Sequence, residues 1–201
     1  MAHSHQQRRS DTRQRIQDIA LELFAEQGYD KTSLREIAER LGVTKAALYY
    51  HFKAKEDIVI SLFDDLARPI DEIAEWGRQQ PQTLETRLEI LRRYSAALRR
   101  GAPLFRFMQE NQAAVRELSV GATFKHRMLA MTNLMTGSDD PVTDQVRGLT
   151  ALFAMHATFF WAHLLDAEEA ELSAASLTVA TELLTAAHQA REAAAADAAG
   201  A

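Results

Sequence analysis

Residues 32–59 read "TSLREIAERLGVTKAALYYHFKAKEDIV". Ser33, with Glu36 three residues later, has the spacing of a capping box, in which hydroxyl and carboxylate each satisfy a backbone N–H at a helix start. Leu34, Ile37, Ala38 and Leu41 then recur on one face at helical period. Gly42 follows as a stop, because a residue without Cβ enters the left-handed conformation at little cost. Val43 alone separates it from Thr44, whose hydroxyl suits the cap of another helix. Two short helices about so tight a glycine turn form a helix-turn-helix.

The pattern extends in both directions. Residues 11–27, "DTRQRIQDIALELFAEQ", place Ile16, Ile19, Ala20, Leu23 and Phe24 on one face ahead of Gly28. After Glu56, "EDIVISLFDDLA" carries Ile58, Leu62, Phe63 and Leu66 on one side, with acids where the dipole favours them. Pro69 either kinks this helix or divides it. Thr83 can cap a helix to about Arg100, "RGAP" is a break, and further helices are expected at about 103–117, 121–136, 142–165 and 171–190. "TGSDDP" is a loop, and the tail "REAAAADAAGA" should fray. No alternating strand pattern is present. The expectation is an all-α protein: a flexible tail at 1–9, a three-helix helix-turn-helix domain at 10–57, a larger helical domain at 58–192, and a frayed tail at 193–201.

Composition bounds the function. The chain has 201 residues and is 47% hydrophobic, enough for a sizeable core. It has no cysteine, which excludes a disulfide frame and thiolate chemistry and fits a cytoplasmic setting. "MAHSHQQRRS" lacks the apolar run of a secretory signal, and no apolar stretch approaches the ~18 residues of a membrane span. The net charge of −5 is uneven: ten basic against seven acidic residues up to Lys55, thirteen against twenty-one beyond. A positive end on an acidic chain suits an anionic partner, though an unevenly charged solvated surface would look the same.

In the third helix, Leu48 and Phe52 should face inward and leave Lys45, Ala46, Tyr49, Tyr50 and His51 outward or sideways. The first residues of a recognition helix reach base edges. Thr44 and Lys45 stand there, and Lys45 suits guanine acceptors while Ala46 and Ala47 suit a thymine methyl. Tyr49, Tyr50 and His51 can donate to phosphates, and Thr32 and Ser33 offer hydroxyl and backbone donors to another. Lys55, near the start of the fourth helix, opposes that helix's dipole, which suggests an outside anion. Other roles stay open: Tyr50 as a wedge between helices, His51 as a helix-end hydrogen bonder, Lys53 as a solvated charge.

The stretch 32–59, with "ALELFAEQGY" before it, closely resembles the DNA-binding domain of the tetracycline-repressor (TetR) family of bacterial transcription regulators. The matching pieces are the alanine–phenylalanine–glycine pattern, "TSLREIA", "LGV" and "LYYHFKAKE". The resemblance covers roughly residues 12–60. It implies an all-helical homodimer whose larger domains bind a small effector, tyrosine and histidine roles at Tyr49, Tyr50 and His51, and a phosphate role at Lys55. Some members place an arginine where this chain has Leu34, so base reading here falls more on Lys45.

The remaining residues supply aromatics and methionines. Phe124, Met128, Met131 and Met135 are spaced by four, three and four, a single helix face that is either ordinary core or an adaptable apolar pocket. Tyr94, Phe105, Met108, Phe159 and His163 join Phe124, Met128 and Met131 as the candidate ligand pocket. His156 and His163 lie seven apart with no third ligand at metal spacing, so neither metal nor cofactor is expected. Val146, Leu149, Phe153, His156 and Phe160, with Val179 and Leu183, form the candidate dimer interface, two helices per partner.

No nucleophile elbow, phosphate loop or paired metal histidines point to an enzyme. The reading is a ligand-responsive repressor that binds a palindromic double-stranded operator as a homodimer and is released by a small, largely apolar effector. The alternatives are an activator of the same family or a helical small-molecule-binding or interaction module.

Overall fold

The computed structural model describes residues 2–118, 120–137, 140–161 and 164–199. Its helices are α1 (Ala2–Gln27), α2 (Leu34–Leu41), α3 (Lys45–His51), α4 (Lys55–Arg78), α5 (Leu84–Arg100), α6 (Ala102–Glu110), α7 (Gln112–Glu117), α8 (Val120–Met135), α9 (Val142–Trp161) and α10 (Glu169–Ala199). No strand occurs among the described residues. The all-α class is as expected, and Pro69 lies inside an unbroken α4.

The chain divides into two compact units, Met1–Asp65 with Pro103–Gly121, and Leu66–Ala102 with Ala122–Ala201. This differs from the boundaries read from sequence, which ended the first domain at 57 and left 103–121 with the second. The reason lies in three rings. Phe107 of α6 packs 5.2 Å from Phe24 and 5.8 Å from Tyr29, while Phe24 and Tyr29 meet edge-on at 5.1 Å. Asn111 adds polar ties: its side-chain oxygen accepts from the Tyr29 N–H (3.4 Å) and its amide donates to the Phe107 carbonyl (3.0 Å). Asn111 also interrupts the single helix expected over 103–117, dividing α6 from α7.

In the first unit, Ile16, Ala20, Leu23 and Phe24 of α1, Ile37 and Ala38 of α2, Leu48 of α3, and Ile58 and Val59 of α4 are all buried. Each such aliphatic side chain contributes about 1.5–3 kcal/mol when fully buried. Gln17 is buried as well, and its amide donates to Ser61 Oγ (2.8 Å) and Asp65 Oδ2 (2.7 Å), which fastens α1 to α4. A buried amide so paired avoids its desolvation cost.

In the second unit, α10 packs on α9 and α5. Buried Ile90, Leu91, Met131, Met135, Leu152 and Leu184 make its interior. Gly148 brings α9 onto the end of α8: a Cβ there would stand 2.5 Å from Thr136 Cγ2 and 3.2 Å from the Met135 carbonyl. Asp140 closes the loop after α8, accepting from the Gly137 N–H (2.7 Å) and pairing with Arg191 of α10 (2.6 Å).

Candidate nucleic-acid interface

The helix-turn-helix forms as its caps require. Ser33 Oγ accepts from the Glu36 N–H (3.3 Å), and the Ser33 N–H donates to Glu36 Oε2 (2.8 Å). The Ser33 hydroxyl and backbone N–H hold the Glu36 carboxyl below the usual carboxylate range. Gly42 adopts φ 73°, ψ 29°, so that its own N–H and that of Val43 return to the Glu39 and Ala38 carbonyls. An L side chain would be strained at that φ. Thr44 Oγ1 then accepts from the Ala47 N–H (3.2 Å) and starts α3.

Leu48 and Phe52 are buried, and this fixes the rotation of α3. Thr44, Lys45, Ala46 and Ala47 are consequently exposed, Tyr50 is 60% exposed, and Tyr49 and His51 are half-buried. Lys45 Nζ lies 5.4 Å over the Tyr49 ring, and Tyr50 and His51 meet edge-on at 5.3 Å. Residues 45–51, KAALYYH, contain no acid. The outward face therefore offers an ammonium, phenols, an imidazole and two methyl groups with no carboxylate of its own helix to repel phosphate.

Three residues sit differently from expectation. Thr32 is buried, and its hydroxyl donates to the Gly28 carbonyl (2.9 Å) while accepting from Gln27 (3.2 Å), so it closes α1 rather than facing outward. Ser33 remains exposed, but its N–H and hydroxyl are committed to Glu36. Lys55 Nζ donates to the Tyr29 carbonyl (2.6 Å) and lies 4.0 Å over the Tyr29 ring. One N–H of that ammonium is thus committed internally.

Sequence reasoning passed over other contributors. Lys53 closes the end of α3 by donating to the Tyr49 carbonyl (2.7 Å). Asp57 Oδ2 accepts from the N–H groups of Lys53 and Ala54 (2.9 Å each) and starts α4; an acid three residues after Ala54 was the available signal. Arg13 of α1 stacks its guanidinium 4.5 Å over Phe52.

The pocket and interface candidates divide between the units. Phe105 (buried) and Met108 (half-buried) belong to the first; Tyr94 and Met131 (buried) with Met128 and Phe159 (half-buried) belong to the second. His163 and the side chains of Phe124 and Phe160 lie outside the described residues. Val146, Leu149, Phe153 and Val179 are exposed and Leu183 is half-buried. His156, expected at the interface, points inward instead. Its Nδ1 lies 2.9 Å from the Leu152 carbonyl, which can only accept, so Nδ1 carries the proton and Nε2 accepts from the Tyr94 hydroxyl at 2.9 Å. Burial pushes the His156 pKa down and the Tyr94 pKa up, so both are neutral. No cluster of three metal-ligating side chains occurs among the described residues, nor does any helix there have the length and apolarity to cross a membrane.

Comparison with known proteins agrees with this geometry. Residues 16–62 match the model of the bacterial regulatory proteins of the tetR family. The HTH-type transcriptional regulator AcrR of Shigella flexneri is 47% identical over 64 residues, 32% of this chain and 30% of that protein. The negative transcriptional regulator IcaR of the Staphylococcus aureus biofilm operon icaADBC is 50% identical over 44 residues, 22% of this chain and 24% of that protein. The aligned segments thus span under a third of these relatives. The fold match is broader: the crystal structure of the TetR family regulator PfmR from Thermus thermophilus has a TM-score of 0.62 at 20% identity, covering 83% of this chain and 97% of that one. Residues 16–62 are thus a DNA-binding segment of the tetR family of bacterial regulatory proteins, and the chain as a whole has the fold of solved TetR-family regulators.

Proposed function

We propose that the protein is a transcriptional repressor that binds a palindromic duplex operator as a homodimer and lets go when a small, largely apolar effector binds its second unit. The observation that carries the DNA-reading part is the rotation of α3: Leu48 and Phe52 inward, Thr44, Lys45, Ala46 and Tyr50 outward. Base edges are reached from such helix starts, and phosphates by the phenols behind them.

Pairing is supported by the exposed face of α9. Val142 (75% exposed), Val146 (55%) and Phe153 (59%) stand in line with Leu149, and Val179 of α10 is also exposed. A row of this kind on one helix is the sort of surface that a second copy covers. Repression is favoured because IcaR, one of the aligned relatives, is named a negative regulator. Release requires an effector that binds the non-reading arrangement better than the reading one, since equal affinity shifts nothing.

Sedimentation of the full chain with and without duplex, followed by titration of apolar ligands against the bound complex, tests this reading. A dimer that binds duplex and is displaced by at least one ligand class supports it. A monomer with no salt-dependent affinity for duplex overturns it.

A further inference from the structure

Arg87, in the opening turn of α5, is only 6% exposed. Its enclosed Nε has no hydrogen-bond acceptor among the described residues. Its Nη1 stands 3.8 Å from Asp140 Oδ2, beyond hydrogen-bond reach.

The two acids at hand are already engaged. Asp140 Oδ2 accepts from the Gly137 N–H (2.7 Å) and from Arg191 (2.6 Å). Asp144, buried in the first turn of α9, holds Arg147 at 2.7 Å. Three arginines therefore meet two aspartates, which leaves one positive charge over. Burial pulls the Arg87 pKa down and the Arg191 charge adds to this, while Asp140 and Asp144 offset part of it.

A buried lysine can shed its proton to escape such a site; a guanidinium cannot. A water molecule could accept from Nε, but it would leave the charge uncompensated. The starts of α5 and α9 add partial positive charge of their own. What the cluster lacks is an acceptor that carries a negative charge, and the enclosure of Nε limits it to very few atoms.

We propose that a small monovalent anion with the chemistry of chloride binds the Arg87 guanidinium and completes a joint between α5, the α8–α9 loop and α10. The loop takes part through Asp140 and α10 through Arg191. All of these residues lie within the second unit, so the site is independent of the duplex-reading face.

The test melts the full-length protein over a chloride series, with gluconate, too bulky for an enclosed site, holding ionic strength constant. Wild type should gain about 2–4 °C and then saturate, the scale of a site filled several-fold above its dissociation constant. Arg87→Met removes the charge, keeps an unbranched side chain and should show no chloride response. Arg92→Gln removes an exposed charge paired with Glu89 and should respond as wild type does. Bromide introduced into wild-type crystals should give an anomalous peak beside the Arg87 guanidinium, a readout that needs no variant to fold. A wild type indifferent to chloride, a response that Arg87→Met keeps, or a bromide map bare at Arg87 overturns the site. Asp139 lies outside the described residues. A response absent from wild type but gained in Asp139→Asn would assign the balancing charge to that carboxylate, and would overturn the proposal as well.

Discussion

Lys55 Nζ donates to the main-chain carbonyl of Tyr29 at 2.6 Å and sits 4.0 Å above the same residue's ring. The contact ties the first turn of α4 to the connection between α1 and α2. Tyr29 in turn donates its hydroxyl to Glu56 Oε1 (3.2 Å) and packs on Phe24 and Phe107. A residue expected to reach phosphate is therefore also a staple of the unit that carries α3. Lys55→Ala should do two things: lower stability by about 1 kcal/mol, the scale of a partly exposed charged hydrogen bond, and weaken duplex binding about equally for all sequences. Denaturant melts and binding to random duplex check the two effects. Unchanged stability would show that the staple holds nothing.

Lys45 is exposed and rests against Tyr49, with no acid on its helix. Lys45→Ala should keep the melting temperature and relax preference at one base position per half-site, worth about 1–3 kcal/mol. Competition with single-position operator variants measures this. A selection profile identical to wild type would move base reading elsewhere on α3.

His156 is neutral in the fold because burial depresses its pKa, and Tyr94 donates to it. Its unfolded value is near 6.5, so the unfolded chain takes up the proton first as pH falls. The stabilisation is complete above that value and is lost progressively below it. His156→Phe should lose less melting temperature than wild type between pH 8 and pH 5.5, even though the variant starts from a lower value. Parallel losses in the two proteins would mean that the imidazole does not titrate in this way.

Phe153 is 59% exposed on the row formed with Val142, Val146 and Leu149. Phe153→Glu should leave helix content unchanged, since nothing buried is touched, and give monomers by sedimentation. Operator affinity should fall with it, because two half-sites are then read separately. A dimeric Phe153→Glu protein would place the pairing surface on another face.

What the sequence disclosed was local. Ser33, Glu36, Gly42 and Thr44 act within four residues of themselves, and their capping roles followed from spacing alone. Thr32 was misplaced because nothing in helical period shows that the residue before a cap turns inward to the Gly28 carbonyl. His156 lies at the edge of an apolar row, and periodicity does not tell which edge turns toward Tyr94. The flexible first segment expected at 1–9 is helical from Ala2, and the tail expected to fray is helical to Ala199. Neither stretch holds an apolar stripe, yet neither holds a proline to stop a helix. The membership of 103–121 in the first unit rests on Phe107 and Asn111 meeting residues some eighty positions earlier, which no local pattern encodes.

The central claim, that α3 reads a duplex once per subunit of a symmetric pair, is tested most directly by selecting bound sequences from a randomised duplex pool with the full-length protein. The account predicts enrichment of an inverted repeat whose half-site centres lie about one helical turn apart, or a multiple of it. A pool that emerges with no enriched sequence, or with one lacking two-fold symmetry, would contradict it.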